Sequence, residues 1–210
     1  MALQNDLTRR LGIEHPIIQA PMAGGTTTPE LVAAVSNSGG LGSIGAGYMA
    51  PDAIAEAIDR TRALTNRPFA VNLFIPGAFS LNTDAIEQAN ARLDRFRDEL
   101  AIERPEPPTR YAPPFDDQFE VVAQAGVAVF SFTFGQLDAA RIARLQAAGT
   151  VVIGTATTVA EARALAHEGV DMIVAQGSEA GGHRGTFLGT FEQALIGTMA
   201  LVPQVVDAVD

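Results

Sequence analysis

The chain contains no cysteine. Disulfides, a thiolate nucleophile and cysteine-ligated zinc or iron–sulfur centres are thereby excluded. Long apolar runs are missing as well. No stretch reaches the ~18 consecutive apolar residues of a membrane span, and no apolar h-region of a secretory signal stands at the N-terminus. The expected compartment is the cytoplasm, with no membrane partner. Basic charge is scarce: 14 lysines and arginines face 24 acidic residues, for a formal charge of -10. That balance argues against a nucleic-acid surface, and Arg9-Arg10 is too short for a basic arm. Histidine occurs three times. No His/Asp/Glu spacing repeats a metal-binding motif, so no metal is expected.

What is present is 210 residues, 47% of them hydrophobic. That suffices for one real core and not for two large domains. Short apolar runs alternate with helical patterns. Six runs read as strands: residues 17–22, 41–46, 69–74, 127–132, 151–154 and 171–175. They are nearly uninterrupted by charge, which fits parallel strands buried on both faces. Thr28 with Pro29 predicts one helix start and Pro51 another. Ile86, Ala89, Leu93, Phe96 and Leu100 fall on one helical stripe. Five prolines at 105, 107, 108, 113 and 114 preclude a regular helix over 101–118. That stretch reads as an excursion, followed by a helix over about 117–124, with Asp116-Asp117 as its solvated start. Further helices are expected over 136–147, from a Thr158-x-x-Glu161 capping box to Gly169, and over 201–210. The alternation fits either a (β/α)8 barrel or an open doubly wound sheet.

The glycine-rich pieces separate these two. Residues 40–45 match G-x-G-x-x-G, but the dinucleotide fingerprint needs a strand before it and a helix opening within it. Here a helix precedes and a strand coincides, so the match is weak. Polar and glycine residues instead recur at the C-terminal ends of the runs, at 22–25, 45–47, 72, 131–135, 155 and 176–182. Convergence of strand ends on one site is a barrel property. The densest such piece is residues 176–187, Gln-Gly-Ser-Glu-Ala-Gly-Gly-His-Arg-Gly-Thr-Phe. Its glycines let a flat or phosphorylated ligand lie against backbone, and His183 can move protons near neutral pH. An exposed loop needing several positive φ values is the competing reading. His15 stands at the other end of the strands, and His167 in a helix's last turn reads as structural.

Together, residues 19–25, 39–48, 72–74, 131–135 and 177–185 resemble the nitronate monooxygenase family, in order and over essentially all of residues 12–210. The resemblance implies a TIM barrel of (β/α)8 type that binds FMN without a metal. It implies oxidation of alkyl nitronates by O2 to a carbonyl compound and nitrite. By the same resemblance the backbone at Ala20, Pro21 and Met22 contacts the flavin ring. Asn72 and Gln176 bond to the flavin or its ribityl chain, and Gly181 and Gly182 lie against it. His183 corresponds to the active-site histidine. Tyr48, Phe74, Ser131 and Phe134 are weaker candidates for the pocket wall, and Glu179 for orienting His183.

The chain departs from the family in extent. Six strands are countable where a closed barrel needs eight, and the segments that hold the FMN phosphate in the family are not among them. Residues 1–210 therefore read as a partial FMN-binding barrel domain, a truncated piece of a longer protein, with exposed sheet edges. Two alternatives stand beside the monooxygenase: a related flavin-dependent enoyl-acyl-carrier reductase, and a non-catalytic fragment. Oligomeric state is left open.

Overall fold

The computed structural model describes residues 4–77, 80–106 and 111–209. Pro107 and Pro108 of the expected excursion lie outside them. The chain forms two compact units, Met1–Pro76 with Pro113–Asp210, and Gly77–Ala112. In chain order the elements are α1 (Asp6–Leu11), α2 (Pro29–Asn37), β1 (Gly42–Gly45), α3 (Pro51–Leu64), β2 (Phe69–Phe74), α4 (Thr83–Leu100), α5 (Phe115–Ala125), β3 (Val129–Thr133), α6 (Ala139–Ala147), β4 (Val151–Ala156), α7 (Val159–Glu168), β5 (Met172–Ala175), a 3-10 turn (Glu192–Ala194) and α8 (Thr198–Val206). All but α4 belong to the first unit. Among the described residues, no helix is long and apolar enough to cross a membrane.

The five strands among the described residues make one parallel sheet in the order β1-β2-β3-β4-β5. Sequential parallel neighbours joined by helices are repeated βα units. Period-2 alternation then sorts the side chains. Ile44, Val71, Leu73, Phe130, Phe132 and Val152 point outward. They pack with Val32 of α2, Ile54 of α3, Phe119 of α5, Ile142 of α6, Leu165 of α7 and Leu201 of α8. Leu41, Ala70, Val129 and Ile153 point to the other face, where Leu11 and Ile13 cover their lower end. Helices α2, α3 and α5 to α8 thus share one face, which is the arrangement of a barrel wall and not of a doubly wound sheet. The barrel is incomplete, as the strand count predicts.

Strand one differs from its expected extent. Residues 17–22 contribute a single parallel bridge, Ile18 to Leu41, flanked by the bonds Leu41 N–H to Ile17 O and Gln19 N–H to Leu41 O, both 2.9 Å. Pro16 and Pro21 bracket the segment and have no N–H to give a ladder. Other boundaries move by a few residues for identifiable reasons. Asp138 accepts from the Arg141 N–H at 2.9 Å, so the helix expected from 136 starts as α6 at Ala139. Gly197 precedes α8, which occupies 198–206 and not 201–210. Thr28 and Thr158 cap α2 and α7 as expected.

The second unit holds α4, opened by Asn82, whose side chain accepts from the Ala85 N–H at 2.9 Å. Its expected stripe does not form a core, and the helix buries none of its residues. Leu93, Phe96 and Leu100 are exposed. The less exposed side carries Asn90, Asp94 and Arg97, joined by hydrogen bonds from the Arg97 guanidinium.

The G-x-G-x-x-G match is a packing device. A Cβ on Gly42 would lie 2.1 Å from the Val32 carbonyl oxygen of α2, and one on Gly45 would lie 2.5 Å from the Met22 carbonyl carbon. These glycines seat a helix and a loop on β1. Gly42→Ala is therefore expected to lower stability by about 1–3 kcal/mol through overpacking. Gly181→Ala, whose Cβ meets nothing within 4 Å, is expected to leave it unchanged. Urea denaturation of both variants is the check. Equal midpoints would show that α2 is not seated on β1.

Candidate active site

The inner face of the sheet opens, at the C-terminal ends of its strands, into a cavity of about 930 Å3. Its floor is apolar, made by Leu41, Ala70, Val129 and Ile153; its upper wall is polar, made by Asn72, Ser131, Thr133 and Thr155. The strand register produces this gradient. Asn72 and Ser131 are Cα partners across β2 and β3, so their side chains emerge side by side. The Asn72 amide Nδ2 donates to Ser131 Oγ at 2.9 Å. Its Oδ1 makes no hydrogen bond among the described residues and remains an acceptor.

The glycine-rich loop after β5 crosses this cavity and has no regular structure, so side chains hold it. Gln176 uses both ends of its amide. Nε2 donates to the His183 carbonyl at 2.9 Å and Oε1 accepts from the Gly185 N–H at 2.8 Å. Arg184 turns its guanidinium onto the carbonyls of Gln176 and Gly177, at 2.6 and 2.7 Å, and onto that of Ala194. It is a clasp for the chain and presents no cation to a ligand. Glu161 is fully buried. Its carboxylate accepts from Thr157 N–H and Oγ1 and from the N–H groups of Phe187 and Leu188, all at 2.5–2.7 or 2.8 Å. Four donors, with no cation among the described residues, satisfy a charge that burial alone would penalise. The capping box is thus only half formed. Thr158 caps α7, while Glu161 reaches the loop.

His183 stands at the cavity wall among aromatic rings. The ring centroids of Phe74 and Phe134 lie 5.9 and 5.8 Å from its own, and those of Phe74 and Phe134 are 4.9 Å apart. Tyr48 Oη lies 3.3 Å from His183 Nε2. Phe134 has φ 75°, a backbone state that a bulky residue adopts only under constraint. That strain lies where β3 delivers its ring to the histidine.

Ala20, Pro21, Met22, Asn72, Gln176, Gly181, Gly182 and His183 all line this one cavity. Two of them already carry hydrogen bonds within the protein. Both amide atoms of Gln176 are engaged by the loop, and the backbone N–H and C=O of Met22 are both engaged by Thr27 Oγ1, at 2.9 and 2.8 Å. Glu179 does not touch His183; it accepts from the Thr198 N–H at the start of α8. His15 and His167 lie elsewhere on the surface. Thr133 and Thr155, among the strand-end residues expected to converge on one site, also line the cavity, and so does Thr198, which was not expected there. Alternation from Ser131 and Ile153 is the signal that identifies the first two.

Comparison with known proteins agrees with this architecture. The family described as "Nitronate monooxygenase" matches residues 4–210. A "Probable nitronate monooxygenase" of Staphylococcus haemolyticus is 48% identical over 211 residues, covering 100% of this chain and 59% of the relative. One from Staphylococcus aureus (strain Newman) is 49% identical over 207 residues, covering 98% and 58%. The chain therefore spans about three fifths of the length of these relatives. Among solved structures, a nitroalkane oxidase from Streptomyces ansochromogenes superposes with TM-score 0.88 at 42% identity, covering 97% of this chain and 58% of that one. FabK from Thermotoga maritima superposes with TM-score 0.70 at 30% identity, covering 99% and 52%.

Glu179 gives the loop a pH dependence. Its own backbone N–H, then that of Thr198, hold its carboxyl below the ordinary value of 4.5. A lowered folded-state pKa means that the latch is fully present above the ordinary value and is lost as pH falls through the lowered one. The Thr198 amide resonance should titrate with a midpoint below 4.5, and Glu179→Gln should abolish that titration. A midpoint at or above the ordinary value would show that the carboxylate does not hold α8.

Proposed function

The chain belongs to the nitronate monooxygenase family, and from that premise we propose that it carries the flavin- and substrate-facing part of an FMN-dependent nitronate monooxygenase. The substrates are an alkyl nitronate and O2, and the products a carbonyl compound and nitrite. The observation that carries this reading is His183 beside Gly181 and Gly182 on the wall of a cavity large enough for a flat ring system.

The residues present fit the ring end of the cofactor. Leu41, Ala70, Val129 and Ile153 offer an apolar bed, and Asn72 Oδ1 offers an acceptor. The backbone of Ala20 to Ala23 forms one side, and Gly181 has open space where a Cβ would stand. No lysine or arginine is among the described residues that line the cavity, and the nearby Arg184 is held by three carbonyls. When bound, the flavin supplies the electron acceptor that O2 reoxidises. The protein's part is to exclude water with its apolar floor and to place an imidazole at the substrate. A neutral nitroalkane needs its Cα proton removed, for which the imidazole is a base. A nitronate has already lost that proton and needs only a hydrogen bond to its oxygens.

Two measurements test this. Fluorescence titration of the 210-residue chain should give similar affinities for FMN and riboflavin, since no lysine or arginine is among the described residues that line the cavity, and Gly181→Ala should weaken both. With flavin loaded, nitrite should form from alkyl nitronates. His183→Asn should cut turnover of a neutral nitroalkane by ~10²–10⁴-fold and of a nitronate by only ~10-fold, the worth of one hydrogen bond. No flavin binding by the chain would sink the cofactor reading. NAD(P)H-driven reduction of an enoyl thioester, with no nitrite from any nitronate, would move the assignment to the reductase.

A further inference from the structure

Tyr48 is 56% exposed and lies outside the cavity lining, yet the backbone before it is fixed by a close approach. It follows Gly47, where a Cβ would lie 2.3 Å from the Phe74 ring. Only a glycine lets the backbone press against that ring. The Tyr48 and Phe74 rings then meet edge to face, with centroids 5.3 Å apart and planes at 80°. This geometry aims the phenol at the histidine: Oη lies 3.3 Å from His183 Nε2, and the ring centroids are 6.4 Å apart. Nδ1 has no hydrogen-bond partner among the described residues. His183 lines the cavity and Tyr48 does not, so anything Tyr48 does to a ligand passes through the imidazole.

We propose that Tyr48 is the positioning residue of His183: its hydroxyl donates to Nε2, fixing the ring's orientation and placing the imidazole proton on Nδ1. The proposal rests on the reading of His183 as the group that meets the substrate. Of the two neutral groups, the phenol O–H is the stronger donor and the unprotonated ring nitrogen the stronger acceptor, so the oxygen donates and Nε2 accepts. The hydrogen bond at one nitrogen settles where the ring proton sits, here on the other. Free neutral histidine in water favours the opposite form, with the proton on Nε2.

The consequence is a preference among substrates. The ring nitrogen left for a ligand bears hydrogen, a donor suited to the negatively charged oxygens of a nitronate. Acting as a base toward a neutral nitroalkane would require Tyr48 first to release Nε2. Tyr48 thus biases the site toward the substrate already deprotonated.

Long-range 1H–15N correlation of the imidazoles tests this directly, and the chain has only three histidines. His15→Gln and His167→Gln assign the third. At a pH where the ring is neutral, wild-type His183 should show a pyridine-type Nε2 and a pyrrole-type Nδ1. Tyr48→Phe keeps the ring and its contact with Phe74 and removes only the hydroxyl; it should move the proton to Nε2. With flavin loaded, the same variant should raise the ratio of nitroalkane to nitronate turnover by about 3- to 10-fold, the range of a single neutral hydrogen bond. The same tautomer in both proteins, a pyrrole-type Nε2 in the wild type, or a ratio that falls or stays unchanged overturns the proposal. The spectra need no flavin. A tautomer switch in a chain that makes no nitrite would therefore overturn the functional reading and leave the Tyr48–His183 pair standing.

Discussion

The backbone from Gln176 to Leu188 has no ladder of its own, and each of its buried polar groups must find a partner singly. Gln176, Arg184 and Glu161 supply those partners, from a strand end, from the loop itself and from α7. Gln176 follows β5 and Glu161 stands on α7, so the loop that carries His183 is tied to two elements of the barrel wall, with Arg184 clasping it from within. The same need explains why a residue as costly to bury as a carboxylate sits fully enclosed in α7. Replacing Glu161 by an apolar residue would leave the N–H groups of Thr157, Phe187 and Leu188 without acceptors, and an unmet buried donor costs about 1–3 kcal/mol.

The two faces of the sheet do different work, and the difference is visible in residue size. Outward positions carry Phe130, Phe132, Leu73 and Ile44 against the helices. Inward positions carry Ala70, Ser43 and Val129 low down and Asn72, Ser131 and Thr133 higher up. Small and polar side chains leave the interior unfilled at the strands' C-terminal ends, whereas α1 and its following turn close the opposite end with Leu11 and Ile13. Space for a ligand is thus built by underfilling one face while the other is covered by helices.

Much of this was legible from the amino-acid order. β1 to β5 coincide with five apolar runs because parallel strands buried on both faces leave a simple signature. The eight residues expected at the site share one cavity because they all sit at strand ends, where a barrel collects them. What was not legible depended on partners distant in sequence. The first run reads as a strand but pairs only through Ile18, because prolines on both sides limit its ladder. Glu161 reads as half of a capping box, and only the fold brings Phe187 and Leu188 to it. Gln176 reads as a ligand contact, and only the loop's return path shows its amide engaged at both ends. Ile86, Ala89, Leu93, Phe96 and Leu100 read as one helical stripe, yet α4 buries none of its residues.

The gradient from apolar floor to polar upper wall acts before any specific contact forms. Leu41, Ala70, Val129 and Ile153 make a region of low polarisability to charge, while Asn72, Ser131, Thr133 and Thr155 present dipoles a few residues higher. A molecule with one greasy edge and one edge rich in heteroatoms loses solvation free energy if it enters upside down. The cavity is therefore a compass: it fixes which edge of an amphipathic guest faces His183 through the difference in dielectric response between its two ends.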